Sequence, residues 1–374
     1  MLALVAAAAA AAAATASPPG AAASRAALPA TMRAVQSAAP GCGAPDFGCV
    51  GVVTVATPVP QPAEVLIRVT GSSCGVTDVV EAGPHPWFPL GPRRLLGYNV
   101  AGTVAAIGTE AEAAGRLQIG DSVWTMLGGR CDGSGAYADY VAAVAEGVAL
   151  FPPSLGSSLL SAATLVGPAL TDWFAFAAGG APWTAAAAAH GVNTTAVIVS
   201  GSGGTGYVAV QLAKALGMRR VVTAATGAST IAWVRSLGAD VVVDYKLQEA
   251  LEAVPDNSVD FVYDNYDKTS HTAELAMRKL RPGGVFVGIV STKLAPTPKR
   301  GVKQLYFDLP DALNNNETRK REGLDAVASL IGGGKLRPFV QQTFSLEGVP
   351  AALAMVAKGV GLVSKLAVNV SAAN

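Results

Sequence analysis

Charge is scarce in this chain. Of its 374 residues, 14% are Asp, Glu, Lys or Arg, and 27 basic against 26 acidic residues leave a formal net charge of +1. No basic cluster stands out, so the electrostatic footprint that nucleic-acid binding requires is missing. Histidine is limited to His85, His190 and His271, none beside a second metal-type ligand in sequence; all three are read as surface or loop residues. Cysteine is limited to four, without the closely spaced set of a structural zinc loop. Cys42 and Cys49 flank a Gly/Pro loop and can pair in an oxidising compartment, but free thiols are the expectation. The apolar run at the N-terminus ends at Ala14, short of the ~18–20 residues of a membrane span.

What is present is small and apolar. Hydrophobic residues make up 51% of the chain and glycine contributes 42 residues, a composition suited to a buried parallel sheet. The length favours two domains. Residues 1–31 are read as a targeting segment. Met1–Ala14 leads into an Ala14-Thr15-Ala16 cleavage pattern, followed by the acid-free stretch Ser17–Arg25. This fits a secretory leader, alone or as the front half of a plastid-targeting one. Sequons begin at Asn193, Asn316 and Asn369 and matter only in the secretory pathway.

From Thr31 to about Ser161 short strands alternate with Gly and Pro, among them Glu64–Val69, Val100–Ile107 and Ser122–Met126. The texture then becomes strand–helix–strand. Strands are expected at Val221–Ala225, Val241–Val243, Val259–Tyr263 and Val285–Val290, with helices at Ser229–Leu237 and Ala273–Leu280. Arg281-Pro-Gly-Gly284 reads as the turn between the last helix and strand. Strand, helix and strand follow at Leu336–Val340, Val349–Lys358 and Leu366–Val370, and this tail is expected to rejoin the first module.

The densest signal is Ala196-Val-Ile-Val-Ser-Gly-Ser-Gly-Gly-Thr-Gly206 and the helical pattern after it. Gly201, Gly203 and Gly206 match G-x-G-x-x-G between a strand and a helix. There the glycines permit a tight turn, close backbone approach to a pyrophosphate, and helix–strand packing. The helix N-terminus adds free N–H groups and a positive dipole end. Gly201, Ser202, Gly203, Gly204, Thr205 and Gly206 are therefore dinucleotide-binding candidates.

The succession resembles the medium-chain dehydrogenase/reductase superfamily, and within it the zinc-free quinone oxidoreductase-like branch. Its marks are Met32-Arg-Ala-Val35, Leu96–Val104, Ile119-Gly-Asp-Ser-Val123, Gly135–Val141, the glycine motif, Leu237-Gly-Ala-Asp240, Leu280–Val287 and Gly361–Val368. The resemblance implies an α/β chain. A GroES-like β-rich catalytic domain (32–165 and 325–374) would wrap a Rossmann domain with a doubly wound parallel sheet (166–324). It also implies an active site in the cleft, hydride transfer from NADP(H) to a small-molecule electron acceptor, and a homodimer.

Zinc-type members take their metal on a Cys near the first helix and on a His-Glu pair after Leu-Gly. Cys74-Gly-Val-Thr-Asp78 has a superficial likeness to the first site, but Tyr98 and Asn99 stand at the second, and an Asn amide is a poor zinc ligand. No metal is expected. Cys74 is read as a small buried residue and Asp78 as the anchor of a loop.

The cofactor's outer phosphate is a separate question. No acid occurs between the second strand and Asp240, so a 2′-phosphate would meet no like charge, and Thr226, Ser229 and Thr230 offer donors. By resemblance Tyr245 covers that phosphate, although Thr230 stands where the family carries a Lys. Without a metal, a quinone or α,β-unsaturated carbonyl is the fitting acceptor, because its conjugated oxygen takes up the charge. Tyr98 and the backbone from Gly288 to Ser291, including Val290, are candidate donors. Thr171 matches the family Thr near the nicotinamide, and Lys365 the terminal Gly-Lys motif, with Ser364 in place of the Gly. Two rival readings stay open: a zinc-type alcohol dehydrogenase with altered ligands, and a non-catalytic NADPH-binding protein of the same fold.

Overall fold

The computed structural model describes residues 28–38, 47–82, 94–128, 134–151, 158–181, 194–267, 269–290, 292–313, 315–359 and 362–371. Residues 1–27 of the expected leader, His85, His190, Cys42, Cys131, Asn193 and Ser291 lie outside them, while Thr31, its expected last residue, opens the first strand. Among the described residues no helix is long and apolar enough to cross a membrane.

Among the described residues the first half holds eight strands: β1 Thr31–Ser37, β2 Val50–Ala56, β3 Glu64–Cys74, β4 Arg94–Leu95, β5 Asn99–Ile107, β6 Ser122–Met126, β7 Tyr140–Val144 and β8 Ala149–Leu150. The second half contributes β9 Thr195–Ile198, β10 Arg220–Ala225, β11 Val241–Asp244, β12 Val259–Asp264, β13 Leu280–Gly288 and β14 Lys303–Tyr306. The C-terminal stretch adds β15 Val340–Phe344 and β16 Lys365–Asn369. The helices that matter below are α1 Val76–Ala82, α2 Val166–Ala178, α3 Gly206–Ala215, α4 Ala228–Ser236, α5 Glu317–Gly332 and α6 Val349–Lys358.

Strands β9 to β14 form one parallel sheet in the order β11-β10-β9-β12-β13-β14. The order reverses between β9 and β12, which puts a switch-point crevice at their C-terminal ends. Every residue of β9 is buried, as a central parallel strand requires. Helix α2 covers one face, where Phe176 meets Phe261 and Tyr263 edge-on at 5.0 and 5.1 Å. Asp172, on the same helix, is fully buried and accepts the Tyr263 hydroxyl at 2.5 Å. Burial holds its carboxyl well above the usual carboxylate range.

The tail rejoins the first half. Strand β16 runs antiparallel to β3 and parallel to β15, which completes a seven-stranded sheet. Helix α5 is held to the first half by Lys320, whose ammonium donates to the Met126 carbonyl at 2.9 Å, and by Arg321, paired with Glu146 at 3.0 Å.

Four details differ from the expectations. Arg281–Gly284 lies inside β13, where the pairing with β12 shifts register, so the Pro-Gly-Gly run marks an irregular strand rather than a turn. The strand expected at Leu336–Val340 is β15, Val340–Phe344, whose polar, mostly exposed Gln-Gln-Thr centre hides it from a hydrophobic pattern. Helix α5 runs unbroken across residue 325, so a domain division there would cut it. Cys49 is disulfide-bonded, its partner lying outside the described residues, rather than a free thiol.

Candidate active site

The glycine loop joins β9 to α3 at the switch point. A Cβ on Gly206 would lie 1.8 Å from the Ser200 carbonyl oxygen, and one on Gly201 would lie 2.5 Å from Thr223 Oγ1. Both glycines are fixed by packing. Gly203 is open, since its Cβ would meet only Ser200 Oγ at 3.6 Å. The N–H groups of Ser202, Gly203, Gly204 and Thr205 find no acceptor among the described residues, and α3 has no side-chain cap. Uncommitted donors at an open helix N-terminus fit a pyrophosphate. Asn265, just after β12, fastens the loop by accepting the Ser200 N–H (3.0 Å) and donating to the Ser200 carbonyl (2.9 Å) and Thr205 Oγ1 (3.2 Å).

The C-terminal strand lies across this loop. The Ser364 N–H donates to the Ser202 carbonyl at 2.7 Å. The Lys365 side chain then runs over Gly204, whose Cβ would lie 2.9 Å from Lys365 Cδ. Its ammonium ends beside Gly75, whose Cβ would lie 2.5 Å from Nζ and 3.8 Å from Asp78 Oδ2. Burial lowers the Lys365 ammonium from its usual range, and Asp78 and Cys74 oppose that shift. Ser364 holds a φ of +61°, the conformation that the family's glycine adopts freely. Ser364→Gly is expected to stabilise the chain by about 0.5–1 kcal/mol, read as a higher denaturation midpoint. A lower midpoint would contradict the strain assignment.

Tyr98 and Asn99 stand at the start of β5. Asn99 Nδ2 donates to Ser73 Oγ at 2.9 Å, and the Tyr137 hydroxyl donates to the Ser73 carbonyl at 3.1 Å. Tyr137 also faces Cys74 and Asp78. The Gly75 N–H donates to Asp78 Oδ2 at 2.8 Å. Asn99, at one of the positions where zinc-type members hold a ligand, is thus engaged with Ser73. Among the described residues no three His, Cys, Asp or Glu converge as a metal set would require. Burial raises the Cys74 thiol far above its usual range, which makes it inert. Among the described residues the buried Tyr98 hydroxyl and Asn99 Oδ1 have no hydrogen-bond partner, and Asn99 Oδ1 lies 2.9 Å from where a Gly167 Cβ would stand. One helical turn on, Thr171 donates its hydroxyl to the Gly167 carbonyl at 2.9 Å, leaving only its lone pairs for a ligand.

At the far end of the loop, Thr226 follows β10, Ser229 and Thr230 fall in the first turn of α4, and Tyr245 is 57% exposed after β11. The expectation of no acid here is overturned. Strand pairing sets Asp244 opposite Ala225, and its carboxylate accepts the Thr226 hydroxyl at 2.7 Å. That bond and the Lys246 N–H hold Asp244 below the usual carboxylate range, so it is ionised. Asp244→Asn is therefore expected to strengthen NADPH binding severalfold relative to NADH, measured by titration with each nucleotide. An unchanged ratio would place Asp244 outside the field of a 2′-phosphate. Val290 follows β13, 39% exposed, while the Ile289 N–H is already given to the Asp264 carbonyl.

The Gly75 bond bears out Asp78 as a loop anchor, while sequence reading missed Tyr137, Asp244 and Asn265. Only Asp244, next to Tyr245, left a local signal.

Comparison with known proteins fits this geometry. Residues 61–153 match the family model described as alcohol dehydrogenase GroES-like domain, and residues 237–361 the one described as zinc-binding dehydrogenase. The chloroplastic quinone-oxidoreductase QR1 of Triphysaria versicolor is 30% identical over 334 residues, spanning 84% of this chain and 92% of that protein. The mitochondrial NAD(P)H oxidoreductase RTN4IP1 of Mus musculus is 28% identical over 328 residues, 80% of each. The solved structure of mycobacterial Rv1454c complexed with NADPH shares the fold, with a TM-score of 0.70 at 21% identity over 91% of this chain and 100% of that one.

Proposed function

From the premise that this chain belongs to the medium-chain dehydrogenase/reductase superfamily, in its quinone oxidoreductase-like branch, and is an NAD(P)H-dependent oxidoreductase, we propose that it reduces a quinone or α,β-unsaturated carbonyl without a metal. The observation that carries the reading is the Lys365 side chain laid across the glycine loop, which sets a cationic donor beside the nucleotide cradle.

When bound, NADPH supplies a hydride to the electrophilic carbon of the acceptor. The loop N–H groups from Ser202 to Thr205 hold the pyrophosphate, and Gly203 leaves room for its approach. Thr226, Ser229, Thr230 and Tyr245 would hold the adenosine end of the cofactor, and Thr171 would offer a lone pair to the nicotinamide amide. Lys365 donates to the acceptor oxygen as charge collects there, and the unpartnered Tyr98 hydroxyl is the second donor. Gly288 to Val290 closes the crevice at the end of β13.

The residues at the zinc-type positions support metal independence: Tyr98 and Asn99 replace the His and the acid, and the Asn99 amide is already given to Ser73 Oγ. Dialysis against a strong chelator is expected to leave NADPH oxidation within about twofold of the untreated rate. Loss of tenfold or more, restored by zinc, would favour the altered-ligand alcohol dehydrogenase instead.

The leader reading is supported by the mitochondrial and chloroplastic relatives for an organelle, and by the disulfide at Cys49 for an oxidising compartment. A homodimer remains the assembly that the family implies.

A further inference from the structure

Beneath the lysine lies an acid that the reduction chemistry leaves idle. Asp78, in α1, is 2% exposed. Its Oδ2 accepts the Gly75 N–H, while its buried Oδ1 meets no hydrogen-bond partner among the described residues. Three titratable groups face it: Lys365 from β16, Cys74 from the end of β3, and Tyr137 from the segment before β7. Tyr137 donates to the Ser73 carbonyl, and burial raises both its hydroxyl and the Cys74 thiol, so neither carries charge near neutrality. Among the described residues Lys365 is therefore the one charged group opposite Asp78. The two face each other across Gly75 without a direct ion pair, in a space that a Cβ would fill.

We propose that Asp78 is the positioning residue for Lys365. Its carboxylate, anchored by the Gly75 N–H, keeps the ammonium charged and aimed across the glycine loop at the acceptor oxygen. In a poorly solvated pocket burial disfavours an ammonium and a nearby carboxylate restores it. A direct ion pair would tie up the donor, whereas separation across Gly75 leaves the Nζ hydrogens free for substrate. On reduction the ammonium gives one proton to the oxygen and is left as a neutral amine. The Asp78 carboxylate then favours its recharging by a proton from water once product leaves. Burial pushes the Asp78 carboxyl up to about 6, which still leaves it ionised at neutral pH.

Asp78→Asn keeps the size and the acceptor for Gly75 and removes the charge. Competitive acetylation with acetic anhydride, followed by mass spectrometry across a pH series, reads the ionisation of Lys365 in the full chain without turnover. In Asp78→Asn that ionisation is expected to move acidward by about one pH unit or more. The alkaline limb of kcat should move with it, with kcat at neutral pH down about tenfold and KM for NADPH little changed. An unmoved Lys365 titration would overturn the proposal even if activity fell, because the fall would then have a cause other than the Lys365 charge.

Lys365→Arg covers the case of a variant that does not fold. A guanidinium stays charged, so the alkaline limb should vanish, and its persistence at the original pH would contradict the proposal. The inference rests on the reading of Lys365 as donor to the acceptor. Absence of turnover with any acceptor would defeat that reading, while the labelling shift decides the Asp78–Lys365 coupling on its own.

Discussion

Gly206→Ala is expected to destabilise the nucleotide-binding half by about 2–4 kcal/mol and to abolish measurable NADPH binding. The added methyl would sit 1.8 Å from the Ser200 carbonyl oxygen. That atom is main chain, and Ser200 is pinned on both its N–H and its carbonyl by Asn265. Neither side can give way without parting α3 from β9. Gly203→Ala is the informative partner. Its Cβ meets nothing closer than Ser200 Oγ at 3.6 Å, so the fold should hold. The methyl would stand where the pyrophosphate approaches, so affinity should fall by about tenfold or more with little change in melting temperature. Thermal unfolding without nucleotide, paired with NADPH titration, separates the two. A stable Gly206→Ala that binds NADPH normally would contradict the packing role.

Lys365→Met is expected to lower kcat by about two orders of magnitude, the usual scale for a positioned proton donor, with KM for NADPH changed far less. Methionine preserves the aliphatic contact over Gly204 and removes the ammonium, its charge and its N–H donors together. If the main loss fell on KM for NADPH, Lys365 would belong to nucleotide binding rather than to the reduction step. Steady-state kinetics with a quinone and with an alkenal tell these apart, because a donor to the acceptor oxygen should affect both.

The doubly wound sheet was legible because its signals are local. A charge-free strand, three spaced glycines and a helical repeat fall within residues 196–217. The same locality let Val349–Lys358 be read as a helix to the residue. Strand β15 is displaced from its expected place because its centre faces solvent, and Pro282 reads as a turn because the bulge around it in β13 shows only in the pairing with β12.

The site divides in the same way. The loop glycines are neighbours in sequence and were found. Asp244 reaches Thr226 through parallel strand pairing, Asn265 reaches Ser200 from the next strand, and Asp78 meets Lys365 from the opposite end of the chain. Such juxtapositions come from topology, and no single-chain pattern carries them. Lys365 is intermediate. The family motif marked it, but only the fold shows its side chain crossing the glycine loop to the first half.

The most direct test is fluorescence titration of residues 32–374 with NADPH and NADH, followed by nicotinamide absorbance with 9,10-phenanthrenequinone and an alkenal as acceptors. The account predicts saturable NADPH binding and NADPH oxidation that depends on the acceptor. Binding without oxidation by any electron-poor acceptor would contradict the reductase assignment and leave a nucleotide-binding protein. Failure to bind either nucleotide would contradict the reading of the glycine loop itself.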